Sequence, residues 1–184
     1  MSEHPVADAM RRRHSHPAVT DAAPTRRELL PLIEAAGSVA DHAALRPWRL
    51  IELRGRARTR LGAALVKAAG LDGLAAEKFA AKPLRAPLLL AVVFSPKPSF
   101  KVPAWEQELV AAGVAHALSL ALDEAGWGVM WRTGLQTRSA AVHAMHELGP
   151  EEQLLGWLYV GGKREGASAG RRPAIRAREL LSKL

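Results

Sequence analysis

The sequence predicts an α+β fold, and two observations lead to this prediction. The chain contains at least four helix patterns and about four strand patterns, and the strands do not alternate regularly with the helices. With 184 residues, of which 48% are hydrophobic, the chain is expected to form one domain over residues 1–184, with a basic tail at residues 163–184.

The first half of the chain predicts four helices and one strand. Thr25 and Glu28 have the spacing of a capping box, in which each side chain reaches the backbone N–H of the other residue, and Gly37 ends the helix that they open. Residues 15–23 are expected to form a loop. The other predicted elements are a short helix over residues 5–13, a strand over 48–53, an amphipathic helix over 56–69 and a weaker helix over 73–81.

The middle of the chain predicts a buried strand and a core helix. Residues 87–94 are a continuous apolar run, as in strands covered on both faces. Pro103 is suited to the start of a helix, and Glu106 then falls in the first turn, where the helix dipole favours negative charge. Residues 109–122 are apolar on almost every side, which predicts a central buried helix too short to span a bilayer.

The last third predicts two more strands. Gly126 can end the central helix in the left-handed conformation, and a strand is expected over residues 129–132. Thr137 or Ser139 can cap a helix over residues 140–147. A final strand is expected over 154–160, closed by Gly161 and Gly162.

Composition excludes several kinds of site. The absence of cysteine excludes disulfides and thiol chemistry, and it fits a cytoplasmic protein. The histidines are scattered, so no metal site is predicted, and neither a phosphate-binding glycine loop nor a nucleophile elbow is present. A net charge of +8 favours an anionic partner, with solvated surface arginines as the alternative.

Three polar clusters remain as candidates for function. Arg13, His14 and Ser15 follow the first helix and could hold a phosphate, or could be a solvated helix end. Asp41 and His42 lie in a short loop, where a lone histidine is often structural.

The third cluster is Trp131, Arg132 and Thr133 at a strand end. Because an unpaired buried charge is costly, Arg132 is expected to pair with Asp123 or Glu124, or to face an anionic ligand. His116, on the apolar helix, is expected to be a hydrogen-bonded core histidine.

Four motifs recur together in one known family. They are Arg-x-Ser at residues 13–15, Arg-Pro-Trp at 46–48, Lys-Val-Pro-x-Trp-Glu-Gln-Glu at 101–108 and Trp-Arg-Thr-Gly at 131–134. In combination, over residues 8–162, they resemble the FMN-dependent nitroreductases, and most of all the short bacterial NAD(P)H nitroreductases. The resemblance implies a three-layer α+β sandwich, whose central, mostly antiparallel sheet is flanked by helices.

The resemblance also implies an activity and an assembly. NAD(P)H would reduce the bound FMN, which would then pass two electrons to a nitroaromatic or quinone-like acceptor in a ping-pong order. The flavin would carry the chemistry, so no catalytic side chain is expected. A homodimer with FMN at the subunit interface is implied, without nucleic-acid or membrane partners.

Site residues follow from the same resemblance, position by position. The family's Arg-Arg-Ser, which holds the FMN phosphate and ribityl chain, corresponds to Arg13, His14 and Ser15. Ser38 corresponds to a position that contacts the flavin in the short members. His42 corresponds to a loop histidine that, in those members, reaches the flavin from the partner subunit. The family's strand along the flavin corresponds to Trp131, Arg132 and Thr133.

Four positions depart from the family pattern, namely His14, Ser38, Ala44 and Arg46. They keep an alternative open, in which a nitroreductase-like fold with an altered or lost flavin site binds another anionic ligand or a protein partner. Nucleic-acid binding through the basic surface is a third hypothesis, and it lacks the aromatic residues interleaved with basic ones that would support it.

Overall fold

A four-stranded antiparallel sheet forms the centre of the molecule. The computed structural model describes residues 3–166 and 173–184. The strands follow the order β1-β2-β4-β3 across the sheet, and all three pairings are antiparallel. Their bounds are β1 Trp48–Leu53, β2 Leu88–Phe94, β3 Trp127–Arg132 and β4 Gln153–Gly162.

Helices cover both faces of the sheet, as the expected three-layer sandwich requires. On one face α2 packs against α5, and on the other α3 packs against α4 and α6. The bounds are α1 Pro5–Arg12, α2 Arg26–Ala36, α3 Arg56–Ala69, α4 Gly73–Ala80, α5 Ala104–Glu124, α6 Ala140–Met145 and α7 Ala177–Leu180. Short 3₁₀ turns cover His42–Ala44, Lys82–Arg85 and Leu135–Arg138.

Strand β2 lies inside the sheet and is buried on both faces, as its continuous apolar sequence predicted. Side chains alternate between the two faces of a strand, so one strand contributes to two separate hydrophobic cores. The core beside α3 and α6 contains Leu89, Ala91 and Val93, and the core beside α2 and α5 contains Leu88, Leu90 and Val92. All six side chains are at most 1% exposed.

Predicted capping signals are present at the starts of α2, α5 and α6 and at the end of α5. The Thr25 backbone N–H donates to Glu28 Oε2 at 2.7 Å, and the Glu28 N–H donates to Thr25 Oγ1 at 3.3 Å, which completes the capping box of α2. Pro103 is the N-terminal cap of α5, and Gly126 follows its end with φ +90°. Ser139 caps α6, whereas Thr137 is buried in the preceding 3₁₀ turn.

The expectation that α5 is buried on all sides is wrong for its outer side. One side packs on the sheet, with Val114 and Leu118 fully buried. The other side has no cover within the described part of the chain: Leu109 is 63% exposed and Trp105 65%. His116 is also exposed, so it is not a core histidine. No helix among residues 3–166 and 173–184 combines the length and apolarity needed to cross a membrane.

The two glycines expected to close the last strand are the final two residues of β4. Gly162 pairs with Trp127 of β3 and with Thr20 of the N-terminal segment. A Cβ atom on Gly161 would lie 2.6 Å from Val19 Cγ2, so this position needs glycine for the N-terminal segment to cross the strand. In the tail, residues 173–184 are exposed, and Arg171 and Arg172 lie outside the described residues.

An ion pair ties β1 to the loop before β4. Arg49 donates from Nε and Nη2 to the two carboxylate oxygens of Glu152, each at 2.7 Å. The Gly149 N–H also donates to Glu152 at 2.9 Å. The hydrogen bond from Arg49 holds the pKa of Glu152 at about 2, below its ordinary value of 4.5.

The stability of the fold is expected to fall in acid because of Glu152. Since its pKa is lower in the folded state than in the unfolded chain, the pair stabilises fully above about pH 4.5 and loses its contribution as the pH falls towards about 2. Thermal unfolding measured across this range should show that Glu152→Gln has a shallower fall in Tm than the parent protein. Glu151→Gln, at an exposed neighbouring position, is the matched control, and equal slopes for the parent and Glu152→Gln would contradict the assignment.

Candidate active site

The segment that follows α1 crosses the sheet beside β3. The His16 N–H donates to Val129 C=O at 2.9 Å, and the Thr20 N–H donates to Gly162 C=O at 2.9 Å. Between these two bonds, Val19 packs over Gly128, where a Cβ atom would lie 2.9 Å from Val19 Cγ1. The crossing therefore attaches the chain directly after residues 13–15 to the strand that carries Trp131, Arg132 and Thr133.

A buried histidine anchors this segment to the end of α5. The His16 side chain is 6% exposed, and its Nε2 lies 3.4 Å from Asp123 Oδ1. Its ring centroid lies 4.1 Å from that of His14. Burial and the neighbouring His14 lower the pKa of His16, and Asp123 opposes this shift. Asp123 also pairs with Lys163 Nζ at 3.1 Å, so the expected alternative in which Asp123 neutralises Arg132 is wrong.

A crevice of about 480 Å³ opens between the end of β3, the middle of β4 and the 3₁₀ turn Lys82–Arg85. Cations and aromatic rings line it together, and none of its lining residues is an Asp or a Glu. The cations are Lys82, Arg85 and Arg132, and the aromatic residues are Phe79, Trp131, Trp157 and Tyr159. A concave site of this composition suits a flat ring system that bears negative charge or carbonyl oxygens.

Arg132 is the most strongly constrained of these cations. Its guanidinium lies over the Tyr159 ring, 5.1 Å from the centroid, and Nη2 makes only a long contact of 3.5 Å with Pro17 C=O. Its Nε is buried and has no hydrogen-bond partner among the described residues. A buried cationic N–H without an acceptor is costly, so this group fits an anionic or carbonyl-bearing ligand in the crevice.

Trp131 and Arg132 point to opposite faces of β3, as the alternation of a strand predicts. Trp131 packs against the core beside α5, and its ring meets His116 edge-on at 5.0 Å between centroids. Its Nε1 is also buried without a hydrogen-bond partner in the described part of the chain. Thr133 follows the strand and is exposed at the crevice.

Sequence reasoning missed Lys82 and Arg85. Burial lowers the pKa of Lys82, and the nearby positive charges of Arg85 and Arg132 lower it further. Burial likewise raises the pKa of Tyr159. Two cations just before the buried strand β2 are a usable signal, because residues at a strand end lie at the edge of the sheet.

Ser38 and His42 lie elsewhere, on the connection between α2 and β1. The Ser38 hydroxyl donates to Ala35 C=O at 2.7 Å, and His42 Nδ1 lies 2.8 Å from Glu106 Oε1 at the start of α5. No hydrogen bond or ion pair found in residues 3–166 joins either residue to the crevice. The crevice therefore brings together three of the eight predicted site residues, Trp131, Arg132 and Thr133. His14 lines a separate hollow with Asp123 and Lys163, and Ser38 and His42 lie apart from the crevice.

Among residues 3–166 and 173–184, no three His, Asp or Glu side chains are grouped as metal ligands would be.

Comparison with known proteins gives the family. The model of the Nitroreductase family matches residues 10–162. The chain belongs to the nitroreductase family. This nitroreductase is 33% identical over 159 residues to YdjA of Escherichia coli strain K12, named as a candidate NAD(P)H nitroreductase, covering 85% of this chain and 87% of YdjA. It is 30% identical over 160 residues to a similarly named protein of Haemophilus influenzae, covering 84% of this chain and 86% of the relative.

Solved nitroreductase structures have the same fold. A nitroreductase-like protein from Bacillus cereus superimposes with a TM-score of 0.85 at 18% identity, over 100% of this chain and 98% of that one. A candidate nitroreductase from Desulfovibrio desulfuricans, solved in complex with FMN, gives a TM-score of 0.75 at 21% identity, over 100% and 99%. The expected fold is confirmed, and so is the expected enzyme class, an NAD(P)H-dependent flavin oxidoreductase.

A methyl group added at Gly156 of β4, behind the crevice, is expected to destabilise the fold. This residue has φ +132°, and a Cβ atom would lie 2.5 Å from Arg132 C=O and 2.8 Å from Trp131 Nε1. Gly156→Ala should therefore lower the free energy of unfolding in urea by about 1–3 kcal/mol. Gly149→Ala, whose Cβ would meet only the Glu152 side chain at 3.6 Å or more, should be nearly neutral. Equal losses in both variants would show that the region behind the crevice is not tightly packed.

Proposed function

We propose that this nitroreductase-family enzyme binds FMN in the crevice beside β3 and uses NAD(P)H to reduce nitroaromatic or quinone-like acceptors. One observation carries the proposal most directly. The crevice brings together Lys82, Arg85 and Arg132 without a neutralising carboxylate, and the Nε–H of Arg132 is buried there without an acceptor. The carbonyl-rich edge of a flavin would satisfy such donors.

The relatives support the cofactor and the co-substrate. The Desulfovibrio desulfuricans neighbour was solved with FMN, and the name of YdjA includes NAD(P)H. When bound, FMN supplies the redox chemistry, taking a hydride from NAD(P)H and delivering two electrons to the acceptor in a ping-pong order. Because this reaction needs a supply of reduced nicotinamide, a cytoplasmic location is proposed with it.

The side chains of this protein would bind and orient the cofactor. Arg13 and Ser15, at the start of the crossing segment, would hold the phosphate, with His14 beside them. Arg132 and Thr133 would donate to the ring, and the Trp131 backbone would lie along it. No side chain of this set is required to transfer a proton, so their contribution is to binding and orientation.

A homodimer is part of the proposal, because it would complete the site. The outer side of α5 exposes Leu109 and Trp105, and an exposed apolar strip of this kind is typical of an interface. His42 lies beside that strip, in a hollow that Leu109 also lines, and Ser38 lies four residues before it on the same connection. In a dimer formed through α5, these two residues would reach the FMN held by the other subunit.

Binding of FMN to the purified protein tests the proposal. The protein should be yellow, or become yellow after incubation with FMN and gel filtration. A colourless product would instead support the alternative of a nitroreductase fold with a lost flavin site, which the substitutions at His14, Ser38, Ala44 and Arg46 suggest.

The cationic contacts are tested by substitution. Arg13→Ala and Arg132→Ala should each weaken FMN binding by about 1–3 kcal/mol, the usual loss for a hydrogen bond to a charged group. Titration of the apoprotein followed by flavin fluorescence measures this. Arg26→Ala, which removes an 81% exposed arginine at the start of α2, should bind FMN like the parent protein. Unchanged affinity in Arg13→Ala would remove that residue from the site.

The proposed interface is tested by charge insertion. Leu109→Glu should convert the dimer to a monomer and weaken FMN binding, because a carboxylate buried in an apolar interface is strongly disfavoured. Light scattering coupled to gel filtration gives the mass, and fluorescence titration gives the affinity. Leu74→Glu, at a position 73% exposed on α4, is the control. A dimer that persists in Leu109→Glu would place the interface elsewhere.

A further inference from the structure

We infer that Glu106 is a positioning residue, which holds the imidazole of His42 in the orientation and tautomer in which it contacts the FMN of the partner subunit. The inference rests on the proposed function, since it concerns how His42 is presented to the cofactor. It adds a residue that sequence reasoning used only as a favourable charge at the start of a helix.

The contact itself is short and joins distant parts of the chain. Nδ1 of His42 lies 2.8 Å from Oε1 of Glu106, across a sequence separation of 64 residues. An ionised carboxylate can only accept a hydrogen bond, so Nδ1 must carry the proton that is shared with it. The contact therefore fixes which nitrogen is protonated and leaves Nε2 as the nitrogen that can meet a ligand.

Glu106 has no competing role in capping α5. A glutamate at the third helical position commonly reaches back to the backbone N–H of the N-cap residue. Here the N-cap residue is Pro103, which has no N–H to offer. The Glu106 side chain is thus available to His42, and its negative charge in the first turn still complements the helix dipole.

The loop that carries His42 is held in a strained backbone conformation. Ala43, Ala44 and Arg46 all have positive φ, at 63°, 51° and 49°. This conformation is unfavourable for residues other than glycine, because the Cβ atom approaches the backbone carbonyl oxygen too closely. The Asp41 carboxylate holds the loop by accepting from the N–H groups of Leu45 and Arg46, at 3.2 and 2.7 Å. Strain of this density is typical of a segment whose geometry matters for function.

His42 and Glu106 line the same surface hollow, and Glu106 is the one carboxylate among the residues that line it. That hollow is otherwise lined by Val39, Ala40, Leu109, Val110 and Gly113. Asp41, the one carboxylate on the loop itself, already accepts hydrogen bonds from the N–H groups of Leu45 and Arg46. The hollow opens on the outer side of α5, which is the side proposed to face the second subunit. The Glu106 contact therefore directs His42 towards the place where a partner's cofactor would lie.

A double-mutant cycle on FMN affinity tests the inference. The apoproteins of Glu106→Ala, His42→Ala and the double variant are titrated with FMN by fluorescence quenching. Each single variant should weaken binding by about threefold to tenfold, and the double variant should be no weaker than His42→Ala. Glu106→Gln, which keeps an acceptor oxygen, should recover most of the affinity.

The matched control is Glu108→Ala. Glu108 lies two residues further along α5 and pairs only loosely with Arg138, at 3.6 Å. Its substitution removes the same charge from the same helix and should leave FMN affinity unchanged. Thermal unfolding of every variant shows whether a loss of affinity reflects a loss of folded protein, and the coupling is then read at a temperature where all variants are folded.

A second readout does not depend on FMN. Nitrogen-15 NMR of the imidazole in the apoprotein should show His42 protonated at Nδ1 in the parent protein, and a mixture of tautomers in Glu106→Ala. A parent protein without this tautomer, an affinity in Glu106→Ala equal to that of the parent, or additive losses in the double variant would each overturn the inference. If the parent protein binds no FMN, the proposed function fails, and the NMR result still decides whether Glu106 positions His42.

Discussion

The hydrogen bond from the His16 N–H to the Val129 C=O fixes the segment on which the proposed site depends. It attaches the segment after α1 to the edge of β3, where Arg132 reaches Pro17 across 115 residues of sequence. The buried imidazole of His16, placed against Asp123, holds the same segment from its side chain. Arg13, His14 and Ser15 directly precede His16, so this attachment determines where they lie relative to β3.

The crevice concentrates positive charge on one concave surface. Lys82, Arg85 and Arg132 share one concave surface with aromatic rings, and the lowered pKa of Lys82 reflects burial and the mutual repulsion of these cations. Such repulsion destabilises the empty site and is relieved when an acceptor group enters. The same arrangement that weakens the unliganded protein therefore strengthens its hold on an electron-rich ring.

Local signals in the sequence were sufficient for much of the fold. The capping box of Thr25 and Glu28, the apolar run of β2 and Pro103 at the start of α5 each act over a few residues, so they could be recognised without tertiary information. The exposure of His116 and the close approach of the N-terminal segment to Gly161 could not. Both depend on contacts between residues far apart in sequence.

The site was predictable only in part, for a related reason. The motif residues at 13–15 and 131–133 were recognised by resemblance, and only the folded chain shows that His16, directly after the first set, is bonded to the strand that carries the second. Lys82 and Arg85 belong to no motif that was recognised, and only the folded crevice shows that they face Arg132. The partnership of His42 with Glu106 was also hidden, because neither residue's neighbours in sequence point to the other.

The two edge strands of the sheet, β1 and β3, have different surroundings. The N-terminal segment is hydrogen-bonded to β3 through His16. Among the described residues, β1 pairs with β2 and has no strand on its other side. Arg49 and Glu52 of β1 carry charges engaged in ion pairs, with Glu152 and Arg54. A stray extended chain that added itself to β1 would have to accommodate these charges. The charges at this edge of the sheet therefore discourage self-association by strand addition.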